Sequence, residues 1–391
     1  MLIWFALGIP AITTLILYKI WKHEVVVWEF AIPFAVSVLL VGVSHLIIQN
    51  TTAQETEYWG GLVQKAEYYE KWNERVPCSH PKYCTRTVTN ADGTTSTQTY
   101  QCGYQHPYDV KTHPPRWQVV DTNGIEISIS QNRYSQLVEQ FGNSHFVDMN
   151  RNYHTIDGDK YEARWDRSRE TAEVTTTEHS YENRIRHSDH SVFNYPEIEP
   201  EEIEQYGLYE YPEVQRPYHL PVILGGGSDM DLQDAEEEFQ FLNGQLGPRK
   251  EVRVWVLLFE GQPREAGHMQ EALWVNGNKN EFVITIGHQD EQVNWAHVFS
   301  WSESERLKID TRHFVEEMDE LDLVELAEWL RPEILDQYER RSFEEFSYLR
   351  INPPWWAILL VFLLTIAANI AVSWYVISNE YRECGKSLKT W

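Results

Sequence analysis

Three apolar stretches limit what this chain can fold into. Residues 2–21, LIWFALGIPAITTLILYKIW, hold one charge, Lys19, close to their end. Residues 25–48 have Glu29 and His45 as their only ionisable side chains, both near the edges, and residues 355–377 have no charge. Each stretch reaches the ~20 residues that an α-helix needs to cross ~30 Å of hydrocarbon. Trp21, Trp28, Trp355, Trp356, Trp374 and Tyr375 stand at the ends of these stretches, where amphipathic rings favour the headgroup layer. A cleaved signal peptide is the rival reading of 2–21. It is the weaker one, because 2–21 lacks a basic start and a small-residue cleavage site, and a second span follows at once.

Lys22-His23-Glu24 alone joins the first two spans, so they read as a tight helical hairpin. Lys19 and Lys22 lie at that turn, and the positive-inside tendency places it in the cytoplasm. Around the third span, Arg340, Arg341 and Arg350 on one side balance Arg382, Lys386 and Lys389 on the other. Span parity then decides. The expectation is an inner- or plasma-membrane protein with its N-terminus and large domain outside and its C-terminus inside. Glu29 and His45 can snorkel to the interface and on their own make no proton pathway.

Between the spans the chain is acidic. Thirty-three Lys and Arg face 59 Asp and Glu, a formal charge of −26. That excludes a general nucleic-acid binder, which needs clustered cations for phosphate, and argues against docking on anionic lipid. The expected partners are the bilayer, envelope proteins or a second copy. Sixteen Trp and 21 Tyr exceed what three spans can use at interfaces. The middle is therefore folded, since disordered chains are poor in aromatics.

Turn signals divide this middle. In 50–75, Tyr58, Leu62, Lys65, Ala66 and Tyr69 fall on one helical face, which predicts an amphipathic helix despite Gly60-Gly61. Asp92-Gly93, Asn123-Gly124 and Asp157-Gly158 each separate strand-like runs and predict three hairpins, with a helix near Tyr134–Phe141. Residues 196–228 contain a helix start at Glu199-Pro200 and then Pro212, Pro217, Pro221 and Gly225-Gly226-Gly227. They read as a flexible linker, because no apolar strand leads into the glycines and the Lys-Ser/Thr of a phosphate loop is missing. Further on, VRVWVLLF, EFVITIG and VNWAHVFSW are strands among helices, and the helical pattern of 310–346 breaks at Pro332.

The expected fold class is a membrane-anchored α+β protein. It has a transmembrane helical hairpin (1–49), a helix plus β-hairpin-rich half (50–195), a Pro/Gly linker (196–228) and a small α/β sandwich half (229–352). One C-terminal transmembrane helix (353–378) and a cytoplasmic tail (379–391) complete it.

The cysteines offer the most specific chemistry. Cys84 and Cys102 are symmetric about Gly93, so they face each other across the predicted hairpin and can form a disulfide in an oxidising compartment. Cys78, Cys84, Cys102 and His106 also form a three-thiolate, one-imidazole set suited to structural zinc, with a first gap longer than usual. His179, His187 and His190 lie in a charged run that a metal could use, but no pair has i, i+4 spacing on a helix. His288, His297 and His313 are singletons suited to structural roles. No nucleophile elbow, His-Glu-x-x-His or phosphate loop is present.

The run Thr56-Glu57-Tyr58-Trp59-Gly60-Gly61 with Lys65–Glu74, and the run Gly277–Val283 with Phe299-Ser300-Trp301, resemble parts of uncharacterised multi-pass membrane proteins of bacteria and large tailed phages. That resemblance implies no established activity and transfers no catalytic residue. The element order also resembles the membrane-anchored TPM-type domain in topology, without its sequence signature. The expected function is a non-catalytic binding or scaffolding module at the cell envelope. A membrane-anchored hydrolase using a metal or carboxylates, and an oligomeric pore or transport subunit, are the alternatives.

Overall fold

The structure, a computed structural model, describes residues 2–19, 25–89, 93–142, 144–147, 159–164, 172–188, 195–212, 221–226, 230–290 and 292–378. The turn between the first two apolar segments, the tail from 379, the expected hairpin turn at Asp157-Gly158 and His190 lie outside these residues. The described part is mixed α+β and divides into two compact units.

In the first unit, a 3-10 turn at Leu2–Gly8 leads into α1 (Ile9–Lys19), and α2 spans Val27–Thr52. Together with a C-terminal helix at Trp355–Ser378 these make three helices long and apolar enough to cross a membrane. Their polarity is inverted relative to a water-soluble bundle. The buried side chains of the C-terminal helix are Ala357, Val361, Thr365, Asn369, Ser373 and Val376, a stripe at helical spacing. Its large residues Leu359, Leu360, Leu363 and Leu364 face outward. The facing stripe of α2 is Glu29, Pro33, Ser37 and Val41. The Asn369 amide donates to Ser37 Oγ at 2.7 Å and to Thr365 O at 2.8 Å, joining the two helices by a buried polar contact.

After α2 the expected helix at 50–75 is replaced by three strands: β1 (Gln54–Trp59), β2 (Val63–Tyr69) and β3 (Trp72–Pro77). The helical spacing there was fortuitous. On β2, Ala66 and Tyr68 face one side while Lys65, Glu67 and Tyr69 face the other, and both sides are covered. An apolar-in, polar-out alternation is therefore missing. Next come β4 (Pro81–Thr89), β5 (Thr95–Tyr104), β6 (Tyr108–His113), β7 (Arg116–Asp121), β8 (Glu126–Ser128) and α3 (Gln131–Phe141). The strands β9 (His145–Val147), β10 (Lys160–Arg164) and β11 (Thr177–Glu182) close this half. Hairpins form as expected at β4–β5 and β7–β8.

Sheet order β8-β7-β2-β10-β9 gives β2 a central place. One face packs Ala66, Val119 and Tyr68 against Tyr134 and Leu137 of α3. The other face is charged and buried. Glu67 and Glu162 are cross-strand partners, and Lys65 and Lys160 each bridge both of them, at 2.5–3.3 Å. Burial alone would raise the Glu67 carboxyl, but hydrogen bonds from Lys65, Lys160 and Tyr69 outweigh it and hold its pKa at about 2.

The second half of the second unit, which comprises Tyr58–Glu178 and Ile198–Arg340, begins with α4 (Pro200–Tyr206), where the Glu199 amide donates to Glu202 Oε2 at 2.9 Å. The short strand β12 (Ile223–Gly225) then pairs in parallel with β13 (Arg253–Glu260). The linker reading of 196–228 is thus corrected: a strand does enter the glycine run, too short to show as an apolar stretch. Following it are α5 (Gln233–Lys250), α6 (Glu265–Leu273), β14 (Glu281–Gln289), β15 (Gln292–Ser300), α7 (Glu305–Glu316) and α8 (Leu323–Gln337). Pro332 lies inside α8; the break falls earlier, where Asp322 Oδ1 caps α8 by accepting from Val324 N and Glu325 N. A 3-10 turn at Phe343–Tyr348 precedes α9, the C-terminal helix Trp355–Ser378.

The sheet runs β12-β13-β14-β15, with only β15 antiparallel. Val254, Val256 and Leu258 face α5, α7 and α8, whereas Trp255, Leu257 and Phe259 face α6. Because β12, β13 and β14 follow in order while α5 and α6 cover opposite faces, the two crossovers have opposite hands. One is therefore the rare left-handed kind.

Glycines let α5 meet the Gly60-Gly61 segment. A Cβ on Gly247 would sit 1.9 Å from Gly60 O, and one on Gly60 would sit 1.4 Å from Thr175 O. In an open helix Gly→Ala stabilises by up to about 1 kcal/mol. Here the sign reverses: Gly247→Ala is expected to cost about 1–3 kcal/mol by overpacking. Chemical unfolding followed by tryptophan fluorescence reads the loss, and an unchanged or raised midpoint would contradict the contact.

Candidate metal centre on a β-arm

Strand β3 runs out into β4, and β5 returns into β6. Since β3 pairs with β6 and β4 with β5, residues 72–89 and 93–113 form one long two-stranded arm. Its ladder is interrupted at a joint made by 78–80 and 105–107, where Gln105 N still donates to His80 O at 2.9 Å. At the base, His113 Nε2 lies 2.7 Å from Glu74 Oε2, and its ring stacks on Trp72. Beyond the joint every residue of β5 is exposed.

Cys78, His80, His106 and Asp109 gather at the joint, each offering one donor atom within 4.8 Å of the others. Cys78 Sγ lies 3.9 Å from His80 Nδ1 and 3.8 Å from His106 Nε2. His80 Nδ1 lies 3.2 Å from Asp109 Oδ1. A tetrahedral zinc ion with bonds of about 2.3 Å to sulfur and about 2.0 Å to nitrogen or oxygen holds its donors about 3.3–3.6 Å apart. The three spacings of 3.9, 3.8 and 3.2 Å lie within a few tenths of an ångström of that range, and the remaining donor pairs lie within 4.8 Å.

Local hydrogen bonds orient the donors. His106 Nδ1 is 2.9 Å from Tyr108 O, which accepts a proton there and leaves the Nε2 lone pair toward Cys78. The His80 amide donates to Cys78 Sγ at 3.4 Å. Asp109 Oδ2 accepts from Ser79 N at 2.7 Å and Ser79 Oγ at 3.1 Å, so Oδ1 remains for a ligand. The Ser79 amide, helped by His80 and His106, holds the Asp109 carboxyl below its usual range. Cys78 is buried, whereas the two imidazoles are open to solvent.

The set Cys78, Cys84, Cys102 and His106 is thereby corrected. Cys84 and Cys102 form a disulfide with Cα atoms 5.6 Å apart, which withdraws both thiols. Nor do they face each other directly. Cys84 is opposite Tyr100, and a bulge between Lys82 and Tyr83 leaves Cys102 between paired positions. His80 and Asp109 supply the donors the two cysteines do not. Continuing the hairpin register inward, past Pro81↔Tyr104, would have brought both to light.

Of the other sequence candidates, His187 and the Gly277–Val283 run join local hydrogen-bond networks. In the first unit, Glu55 accepts from Tyr181 Oη at 3.0 Å and Asn183 Nδ2 at 2.7 Å, with His187 Nε2 at 3.4 Å and Arg186 Nη1 at 3.1 Å. Burial would raise this carboxyl, but those hydrogen bonds and the Arg186 charge hold it at about 2. In the run Gly277–Val283, Glu281 is fully buried and accepts from Tyr211 Oη at 2.5 Å, Trp255 Nε1 at 3.1 Å and Asn278 N at 2.7 Å. Trp301 Nε1 donates to Gly277 O at 3.2 Å. These motif residues clasp the amino-terminal edge of the parallel sheet. An open hollow of about 900 Å³ near the start of α5 is walled by carboxylates including Asp231, Asp234, Glu317 and Asp319. Its described lining includes no His, Cys, Ser, Lys or Arg.

No protein family, curated protein or solved structure matches this chain.

Thiol counting in a Cys384→Ser background tests the disulfide. Denatured without reductant, the chain is expected to expose one thiol, Cys78, and three after reduction. Three thiols before reduction would contradict it.

Proposed function

We propose that this chain is an integral membrane protein whose large domain lies on the extracytoplasmic side and acts as a non-catalytic binding or scaffolding module. The observation that carries this reading is the inverted polarity of the helix bundle. Polar and small side chains such as Ser37, Asn369 and Ser373 are buried while leucines face outward, which suits a lipid environment where interhelical hydrogen bonds and small residues hold helices together. The disulfide between Cys84 and Cys102 supports the extracytoplasmic side, because thiols stay reduced in most cytosols. The exposed arm supports the binding role: it is cross-linked, and every residue of β5 is exposed.

Carboxylates without a paired base or nucleophile give the hydrolase reading little support in the hollow beside α5. The pore reading is weaker still, since the facing stripes of α2 and α9 close on each other through Asn369 and Ser37.

A protease site inserted after Gly93 tests side and anchoring together. Cleavage in intact spheroplasts, with a tag after Trp391 protected until the membrane is permeabilised, is the expected result. Protection of the arm would overturn the orientation, and release of the chain by alkaline carbonate would overturn the anchoring.

A further inference from the structure

On the sheet face opposite α5, helix α6 approaches β15 unusually closely. A Cβ on Gly267 would lie 2.9 Å from Thr285 Oγ1, 2.9 Å from Trp295 Cζ3 and 3.0 Å from His297 Cβ. This approach lets His268 and Glu271, neighbours at i, i+3 on the helix, reach His297 on the strand. His297 Nε2 lies 2.8 Å from Glu271 Oε2, and the His268 and His297 rings are 4.3 Å apart between centroids. One donor atom from each of the three lies within 4.8 Å of the others. Strand β15 is the edge of its sheet, so the cluster opens to solvent on one side, with His268 exposed and the other two half-buried.

We propose that His268, Glu271 and His297 form a second metal site, a three-ligand centre for a borderline divalent transition ion such as Zn²⁺, with its remaining positions open to water or a small anion. Two imidazoles and one carboxylate are the donor set that leaves zinc an open position, in contrast to a closed four-ligand structural site. Imidazole donors select against Ca²⁺ and Mg²⁺, which take oxygen ligands. The surroundings agree. Arg264, the residue before α6, is engaged by Glu316 of α7. The fixed distance between α6 and β15 is set by Gly267 and not by the metal, so the donors are held in place in advance.

The test uses the full chain in detergent, carrying Cys78→Ser and His106→Ala to silence the arm, and titrates Co²⁺ by absorption and Zn²⁺ by calorimetry. One ion is expected to bind, with a cobalt d–d spectrum and no thiolate-to-cobalt charge-transfer band. Adding His268→Ala or Glu271→Gln should weaken binding at least ~10-fold with the circular dichroism unchanged; both side chains are accessible enough to be replaced without opening the core. Binding that neither substitution weakens, or no binding to the arm-silenced chain, would overturn the proposal. Failure of the arm site is read separately, as absence of the charge-transfer band in the unsubstituted chain.

Discussion

A two-stranded β-ribbon has no interior, and the arm of residues 72–89 and 93–113 must therefore be held by side-chain cross-links. Isolated hairpins are marginal in water because they bury too little apolar surface to offset chain entropy. Here the disulfide lies just beyond the place where the ladder fails. The disulfide closes a loop of 18 residues, a constraint worth about 3 kcal/mol in the chain-entropy picture. One step inward, Cys78, His80, His106 and Asp109 converge at the joint, where only one backbone hydrogen bond crosses at Gln105. A metal bound by both strands would convert that weak point into a fixed one.

The rest of the domain solves the opposite problem, too much to bury. The central strand β2 has one face on α3 and the other on buried ion pairs, so Glu67 and Glu162 can lie side by side only because Lys65 and Lys160 bridge them. Where this half meets α5, backbone touches backbone at Gly60 and Gly247. Within the helical unit, the same principle of satisfied polar groups appears as Asn369 on Ser37.

Much of this was legible in the sequence, where one physical signal dominated. The apolar spans stood out because hydrocarbon length is a hard requirement. The strands β13 and β14 were equally plain, as largely apolar runs buried on both faces. Strand β2 was not, since a strand with charges buried on one face imitates a helix as easily as a hairpin. The disulfide was found by turn symmetry, but its register shifted because the sequence does not announce a bulge at Lys82. Half of the joint, Cys78 and His106, was visible as metal-ligand chemistry. His80 and Asp109 were hidden because two thiols of the assumed set were already spent on each other. His297 passed for a singleton because its partners lie on α6, distant in sequence and brought near by Gly267.

The candidate ligand set at the arm's joint, Cys78, His80, His106 and Asp109, is drawn from both strands. X-ray absorption at the zinc edge tests it most directly, on the zinc-loaded full chain carrying His268→Ala. The account predicts a first shell of one sulfur at about 2.3 Å and three nitrogen or oxygen donors at about 2.0 Å, with the sulfur lost in Cys78→Ser. A shell of three sulfurs, or one of nitrogen and oxygen alone with Cys78 intact, would contradict it.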